Sequence, residues 1–334
     1  MCTATGGICV PAGCQTGADC APGEECNSWD PTYGCLYLEF QCTTASDLCG
    51  GDADCTDPSA SICAIQLDGS RQCSPGGCAI GRPFLVADTV RTAPIALRMD
   101  WASGDTLVQS TLIPGDPRVR EALAREWARV GQLEHASIAA FARFTMQLLA
   151  LGAPFDLIER TQRAIADETR HARLAFGLAS RFGLEHVGPA ALSIDGALDG
   201  CLDLASVVAL VLREGCIGET VAAVEAAEAG ARCEDAALAS ILESIAADES
   251  THAELAWRTV RWALSRGDDS VRAVITRELA MIASELDEAI APVDEPTPAH
   301  LRRETLRLVV APCLATLLST QRTPDADSGV ALTA

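Results

Sequence analysis

A chain of 334 residues, 49% hydrophobic and 21% charged, has enough material for a sizeable apolar core. Its net charge of −21 speaks against nucleic acid or anionic membrane as a partner, because both require basic surface. The longest apolar runs, such as 207–212, are too short to span a bilayer, so no transmembrane segment is predicted. Lysine is absent, and the Arg-only, Ala-rich composition reads as GC-rich codon usage rather than function.

Of 16 cysteines, twelve precede residue 80: Cys2, Cys9, Cys14, Cys20, Cys26, Cys35, Cys42, Cys49, Cys55, Cys63, Cys73 and Cys78. An even, dense cluster of this kind predicts six disulfides and an oxidising home, periplasmic, cell-surface or secreted. Zinc is the competitor, but it favours C-x2–4-C pairs, whereas neighbouring cysteines here are separated by four or more residues. Residues 1–80 form a disulfide module with an internal repeat of about 35 residues: Cys14, Cys20, Cys26 and Cys35, then Cys49, Cys55, Cys63 and Cys73. Gly, Pro, Asp, Ser and Thr between the cysteines favour turns over regular elements. No positively charged start leads into an apolar stretch, so no signal peptide is expected in the sequence as given. Cys2, directly after Met1, is open to two readings, a disulfide partner or a lipid-anchor site.

Residues 81–117 read as an extended connector, with β-leaning runs at 84–86, 95–97 and 106–108. From Pro117 onward the pattern is helical, with Asp116 as N-cap and Pro117 in the first turn. Helices are predicted at 118–151, 155–182, 200–229 and 234–266, with Gly183 and Gly230 as stops and a longer crossover at 184–199. Two more follow at 270–291 and 298–320, and the tail 321–334 is predicted to be disordered. Two hairpins joined by a crossover make a mainly α protein with a four-helix bundle at 118–320, extended by its C-terminal helices.

Two stretches of this region are near copies. Ala166-Asp167-Glu168-Thr169-Arg170-His171 returns 81 positions later as Ala247-Asp248-Glu249-Ser250-Thr251-His252. On a helix, Glu and His at i and i+3 share a face, so each pair can ligate one ion. Each pair also stands where a core residue belongs: Thr161, Ile165, Glu168, His171, Ala175 form one stripe and Leu242, Ile245, Glu249, His252, Ala256 another. Glu134 lies in the same way between Val130 and Ser137. Carboxylates on apolar faces cost several kcal/mol each unless they are paired or metal-bound. Four or five of them against two imidazoles leave acceptors in excess of donors, and a pair of divalent cations removes that excess.

The third helix offers two carboxylates, Glu214 and Glu219, and both enter the predicted ligand set. Aligning the two halves favours Glu219; the spacing to Glu249 favours Glu214. Five residues apart, they stand about 140° apart on an ideal helix, so both can ligate only where the helix is distorted. Gly215 and Gly218 make such distortion cheap.

These residues resemble the ferritin-like di-iron carboxylate superfamily, which includes bacterioferritins, rubrerythrins, ribonucleotide reductase small subunits and bacterial multicomponent monooxygenases. The resemblance covers about 118–266 and rests on the paired Glu-x-x-His motif. It implies a metal set of Glu134, Glu168, His171, Glu249 and His252, completed by Glu219 or Glu214, and two iron ions, with manganese as the alternative. Asp167-Glu168-Thr169-Arg170-His171 is similar to the D-E-x-R-H form of the monooxygenases. That similarity implies that Asp167 orients His252 and Asp248 orients His171, with Arg170 beside them, in line with the usual carboxylate behind a ligating imidazole. Both tyrosines, Tyr33 and Tyr37, precede the helical region, which speaks against a tyrosyl-radical role. No C-x2-C pair is present, which speaks against a full rubrerythrin.

The resemblance implies an oxidoreductase or oxygenase reacting with O2 or peroxide. The rival expectation is a secreted interaction or iron-binding protein in which the bundle is a metal-stapled scaffold and residues 1–80 carry recognition. Cys216 is expected as a small buried hydrophobe, His135 as a structural polar residue, and Trp127, Trp257 and Trp262 as core. Cys201 and Cys233, at opposite ends of the third helix, are too far apart to bridge each other.

Overall fold

A computed structural model describes residues 14, 16–29, 39–50, 54–56, 62–65, 71–74, 82–101, 104–115, 117–266, 268–287 and 298–319. The protein is mainly helical, with a disulfide-rich N-terminal module. In that module β1 (Cys26–Trp29) pairs antiparallel with β2 (Glu39–Cys42), and β3 (Ile62–Ile65) with β4 (Arg71–Ser74). Turns were expected throughout; instead each repeat carries a hairpin with two cysteines opposite each other, Cys26 with Cys42 and Cys63 with Cys73.

Disulfides join Cys14 to Cys26, Cys20 to Cys42, Cys49 to Cys63 and Cys55 to Cys73. First bonds third and second bonds fourth in both repeats. The fourth member of the first repeat is therefore Cys42 rather than Cys35, because the strand pairing puts Cys42 opposite Cys26. Cys2, Cys9, Cys35 and Cys78, and with them the two remaining predicted bridges, lie outside the described residues. The two repeats are held differently. Phe40, 2% exposed, is buried with Val119 and Leu123 of the helical region, and the Arg118 guanidinium lies 5.1 Å above its ring. Among the described residues, the apolar cluster of the second repeat consists of its own cysteines.

The connector is partly corrected. β5 (Leu85–Val86) and β6 (Thr89–Val90) form a hairpin turned by Ala87 and Asp88, both at positive φ. β7 (Ile95–Leu97) pairs with β8 (Val187–Pro189), a strand inside the predicted crossover. The run at 106–108 is not β but opens α1 (Thr106–Ser110), because Asp105 caps the Leu107 N–H and starts a helical turn.

The long helices are α2 (Pro117–Ala150), α3 (Phe155–Gly183), α6 (Ala236–Ser265) and α7 (Asp269–Asp287). Between α3 and α6 run α4 (Leu204–Leu210), a π-helical segment (Val211–Glu219) and α5 (Thr220–Arg232). The C-terminal part is α8 (Pro298–Thr305), a second π segment (Leu306–Val310) and α9 (Ala311–Ser319). α2 packs most extensively on α3, and α5 on α6. Asp203 and Asp235 cap α4 and α6 through backbone N–H groups, and Asp235 also accepts from the Leu112 N–H at 2.6 Å. Asp116 and the predicted tail lie outside the described residues.

Gly183 does not itself turn the chain. It is the last residue of α3, where a Cβ would stand 3.3 Å from that of Ala124, and Leu184 takes the left-handed cap at φ 64°. At Gly131 a Cβ would come within 2.9 Å of the Phe176 ring, so this glycine lets α2 and α3 approach closely. The two largest apolar clusters among the described residues lie in the helical region. One joins Trp127, Val130, Leu178, Phe182, Leu238 and Ile245; the other joins Phe141, Phe144, Leu212, Ala256 and Val260 with α7 and the C-terminal helices. Between the two, along the helices, lies a belt of buried charge.

Candidate metal centre

α2 supplies Glu134, α3 supplies Glu168 and His171, the end of the π segment supplies Glu219, and α6 supplies Glu249 and His252. All six are at most 2% exposed. Helical periodicity places each on the inward stripe, and antiparallel packing brings the stripes together. The result is two overlapping quartets: Glu134, Glu168, His171 and Glu249, and Glu168, Glu219, Glu249 and His252. Within each quartet the ligand-type atoms all lie within 4.8 Å of one another.

Glu168 and Glu249 belong to both quartets and turn one oxygen to each imidazole. His171 Nδ1 lies 3.5 Å from Glu249 Oε1, 3.7 Å from Glu134 Oε2 and 4.0 Å from Glu168 Oε2. His252 Nδ1 lies 3.1 Å from Glu168 Oε1 and 3.3 Å from Glu249 Oε2. The outward nitrogens each face the opposite unit's aspartate. His171 Nε2 is 3.0 Å from Asp248 Oδ2, and His252 Nε2 is 3.5 Å from Asp167 Oδ2. Arg170 joins this layer by pairing with Asp248 and reaching the Ser244 hydroxyl at 3.3 Å.

Burial and crowding govern the protons. Desolvation, then the neighbouring Glu249 and Glu134 charges, push the Glu168 carboxyl well above the ordinary range. Glu219 is raised in the same way, by desolvation and then Glu249. Desolvation would also raise Glu249, but the His171 and His252 imidazoles facing it outweigh that and hold the carboxyl low. Desolvation lowers both imidazoles, and their carboxylates outweigh it: Glu134 and Asp248 raise His171, while Asp167 and Glu249 bring His252 to about 10.

Glu214 stands apart from both quartets, which corrects its place in the predicted ligand set. Its Oε2 accepts from Arg82 Nε at 3.3 Å, and its Oε1 accepts from the Leu85 N–H at 3.2 Å and from Arg143. Both oxygens are drawn toward these donors and away from the quartets. Arg82 and Arg143 were not singled out from the sequence. Arg82 is 132 positions away and carries no local signal, whereas Arg143 interrupts the apolar run 141–144 of α2.

Comparison with models of protein families, with curated proteins and with solved structures finds no match for this chain. Both oxygens of Glu134, Glu168 and Glu219, Glu249 Oε1 and His171 Nδ1 are buried without a hydrogen-bond partner. Orphaned acceptors at this density are costly unless cations meet them. Four carboxylates with two imidazoles are a donor set suited to iron or manganese, and they fit such ions on chemical grounds.

Among the other cysteines, Cys201, Cys216, Cys233 and Cys313 are free thiols, and burial pushes the Cys216 thiol well up, as befits a core residue. Trp127 is fully buried, while Trp257 and Trp262 are only partly so. His135 packs edge-on against Trp101 with centroids 5.3 Å apart. Among the described residues no helix is long and apolar enough to cross a membrane.

Proposed function

We propose that this chain is a ferritin-like di-iron carboxylate protein that reacts with O2 or peroxide. The observation that carries the reading is the pair of buried quartets sharing Glu168 and Glu249. Glu134 and His171 would complete the set around one ion, Glu219 and His252 the set around the other, with manganese as the alternative metal. Iron, when bound there, would supply electrons to the oxidant.

The chain's own residues prepare the site for that role. Asp167 and Asp248 accept the Nε2–H of the opposite imidazole and so hold each Nδ1 toward the quartets. The apolar clusters on both sides keep bulk water from the carboxylates. The four disulfides support an oxidising compartment, periplasmic, cell-surface or secreted.

The test is metal analysis followed by oxygen uptake. The protein should hold close to two irons per chain, and adding ferrous iron to metal-free protein should consume O2. Glu168→Ala and His252→Ala should abolish both. Stoichiometric zinc in a single site would overturn the reading, and iron binding without oxygen consumption would favour the scaffold instead.

A further inference from the structure

The π-helical segment 211–219 is nine residues long, well beyond the single turn in which such winding is usually found. Pairing i to i+5 is rare because it packs its own backbone less well than α-helical pairing, so a segment of this length needs support from outside. The hairpin at 82–90 bonds to it at two positions and approaches it closely at two more. Asp88 Oδ1 lies 2.8 Å from Arg213 NH1, and Glu214 is held by Arg82 and by the Leu85 N–H. A Cβ at Gly215 would lie 3.7 Å from Arg82 NH1 and 2.5 Å from the Cβ of Ala256 on α6. A Cβ at Gly218 would lie 3.3 Å from Pro83 Cδ.

The same hairpin is fixed to α2 independently. The Ser137 hydroxyl donates to the Arg82 carbonyl at 2.8 Å, and Arg143 donates to the Leu85 carbonyl. The Arg82 guanidinium lies 4.8 Å above the Phe141 ring and 4.6 Å above that of Phe144. Phe141 in turn meets His252 edge-on at 5.2 Å. Ser137 is one turn beyond Glu134, and Gly218 immediately precedes Glu219. The hairpin thus ties together the two helices that supply the carboxylates lying outside the Glu-x-x-His units.

We infer that the hairpin 82–90 is a clamp that imposes the π winding of 211–219 and thereby sets Glu219 in the metal centre, with Arg82 and Glu214 as its positioning residues. Residues five apart share a face under i to i+5 pairing but stand about 140° apart on an α-helix. With the clamp in place, Glu214 turns to Arg82 while Glu219, one turn on, reaches Glu168, Glu249 and His252. Without Arg82, Glu214 keeps Arg143 but its Oε2 loses the guanidinium that ties it to the hairpin; the segment gains by rewinding to α-helical pairing, which carries Glu219 out of register. This inference rests on the reading of the quartets as a two-metal site.

Arg82→Met and the milder Glu214→Gln, made in the full chain, test it against Arg82→Lys. Co2+ is the probe, titrated by its visible absorbance. Wild type should take two ions. Arg82→Met should weaken one of them about tenfold to hundredfold, the range for outer partners of metal ligands, while the other stays within about threefold. Arg82→Lys should restore most of the loss. In metal-free protein, hydrogen exchange at amides 211–220 should change by about tenfold at individual positions in Arg82→Met, as hydrogen-bond partners shift from i+5 to i+4, with α3 unchanged. Glu214→Gln should show both effects in weaker form, and it serves alone where Arg82→Met fails to fold. Two wild-type affinities with only a lower melting temperature, equal weakening of both ions, or unchanged exchange at 211–220 would overturn the clamp. A wild-type protein that takes no Co2+ would overturn the two-metal reading, leaving hydrogen exchange to decide whether the clamp holds the winding.

Discussion

Asp248 Oδ2 sits 3.0 Å from His171 Nε2, so the aspartate of the second Glu-x-x-His unit holds the histidine of the first. Asp167 does the same for His252 at 3.5 Å, and the two helices lock each other's imidazoles. Asp248→Asn and Asp167→Asn should each weaken metal binding about tenfold to hundredfold with the fold intact. Calorimetric titration with Fe2+ or Mn2+ checks this, and unchanged affinities would reduce the aspartates to surface decoration.

Metal uptake should release protons. Glu168 and Glu219 are raised and both imidazoles are raised, so at neutral pH the metal-free site carries protons that ligation must displace. Affinity should therefore fall as pH falls, most steeply where the site reloads its protons. Titrating Mn2+ in buffers of different ionisation enthalpy reads the proton count directly, and a count of zero would contradict the assignment.

The two cystine repeats should differ in resistance to reductant. Each bridge closes a loop of roughly 12 to 22 residues, worth about 3 kcal/mol, but among the described residues it is the first repeat that is anchored, by Phe40 buried against the helices. Graded reduction, alkylation and mass spectrometry should find Cys49, Cys55, Cys63 and Cys73 labelled before Cys14, Cys20, Cys26 and Cys42. Full reduction should leave the far-ultraviolet helical signal nearly unchanged.

Gly215→Ala should destabilise the protein by about 1–2 kcal/mol. Overpacking costs about 1–3 kcal/mol, and the better helix propensity of Ala returns up to about 1. The added methyl would stand 2.5 Å from the Ala256 Cβ, which is fixed to its own backbone and cannot swing aside. Chemical denaturation measures the difference, and a neutral or stabilising result would mean that α6 and the π segment part easily.

Much of this protein was legible in one dimension. The apolar stripes with Glu134, Glu168, His171, Glu249 and His252 in mid-stripe marked the inward faces, because a helix repeats its face at a fixed period. Predicted starts and stops of α2, α3 and α6 fell within two residues of those observed, since caps, prolines and glycines act locally. The cysteine spacing likewise announced the disulfide repeats, though not that Cys42 is the one that bonds Cys20.

What the sequence left open was settled by contacts between distant segments. Whether Glu214 or Glu219 enters the quartets turned on Arg82, which comes from a hairpin 132 positions upstream and, together with Arg143, holds Glu214. The run at 106–108 looked like a strand, but it coils behind the Asp105 cap, and its exit is pinned where Asp235 accepts the Leu112 N–H. Periodicity, capping and turn chemistry are properties of neighbours along the chain and survive in its letters. Which buried carboxylate meets a guanidinium and which is left to face a cluster of its own kind depends on charges brought together only by folding, because burial is what makes an unpaired charge too costly to leave.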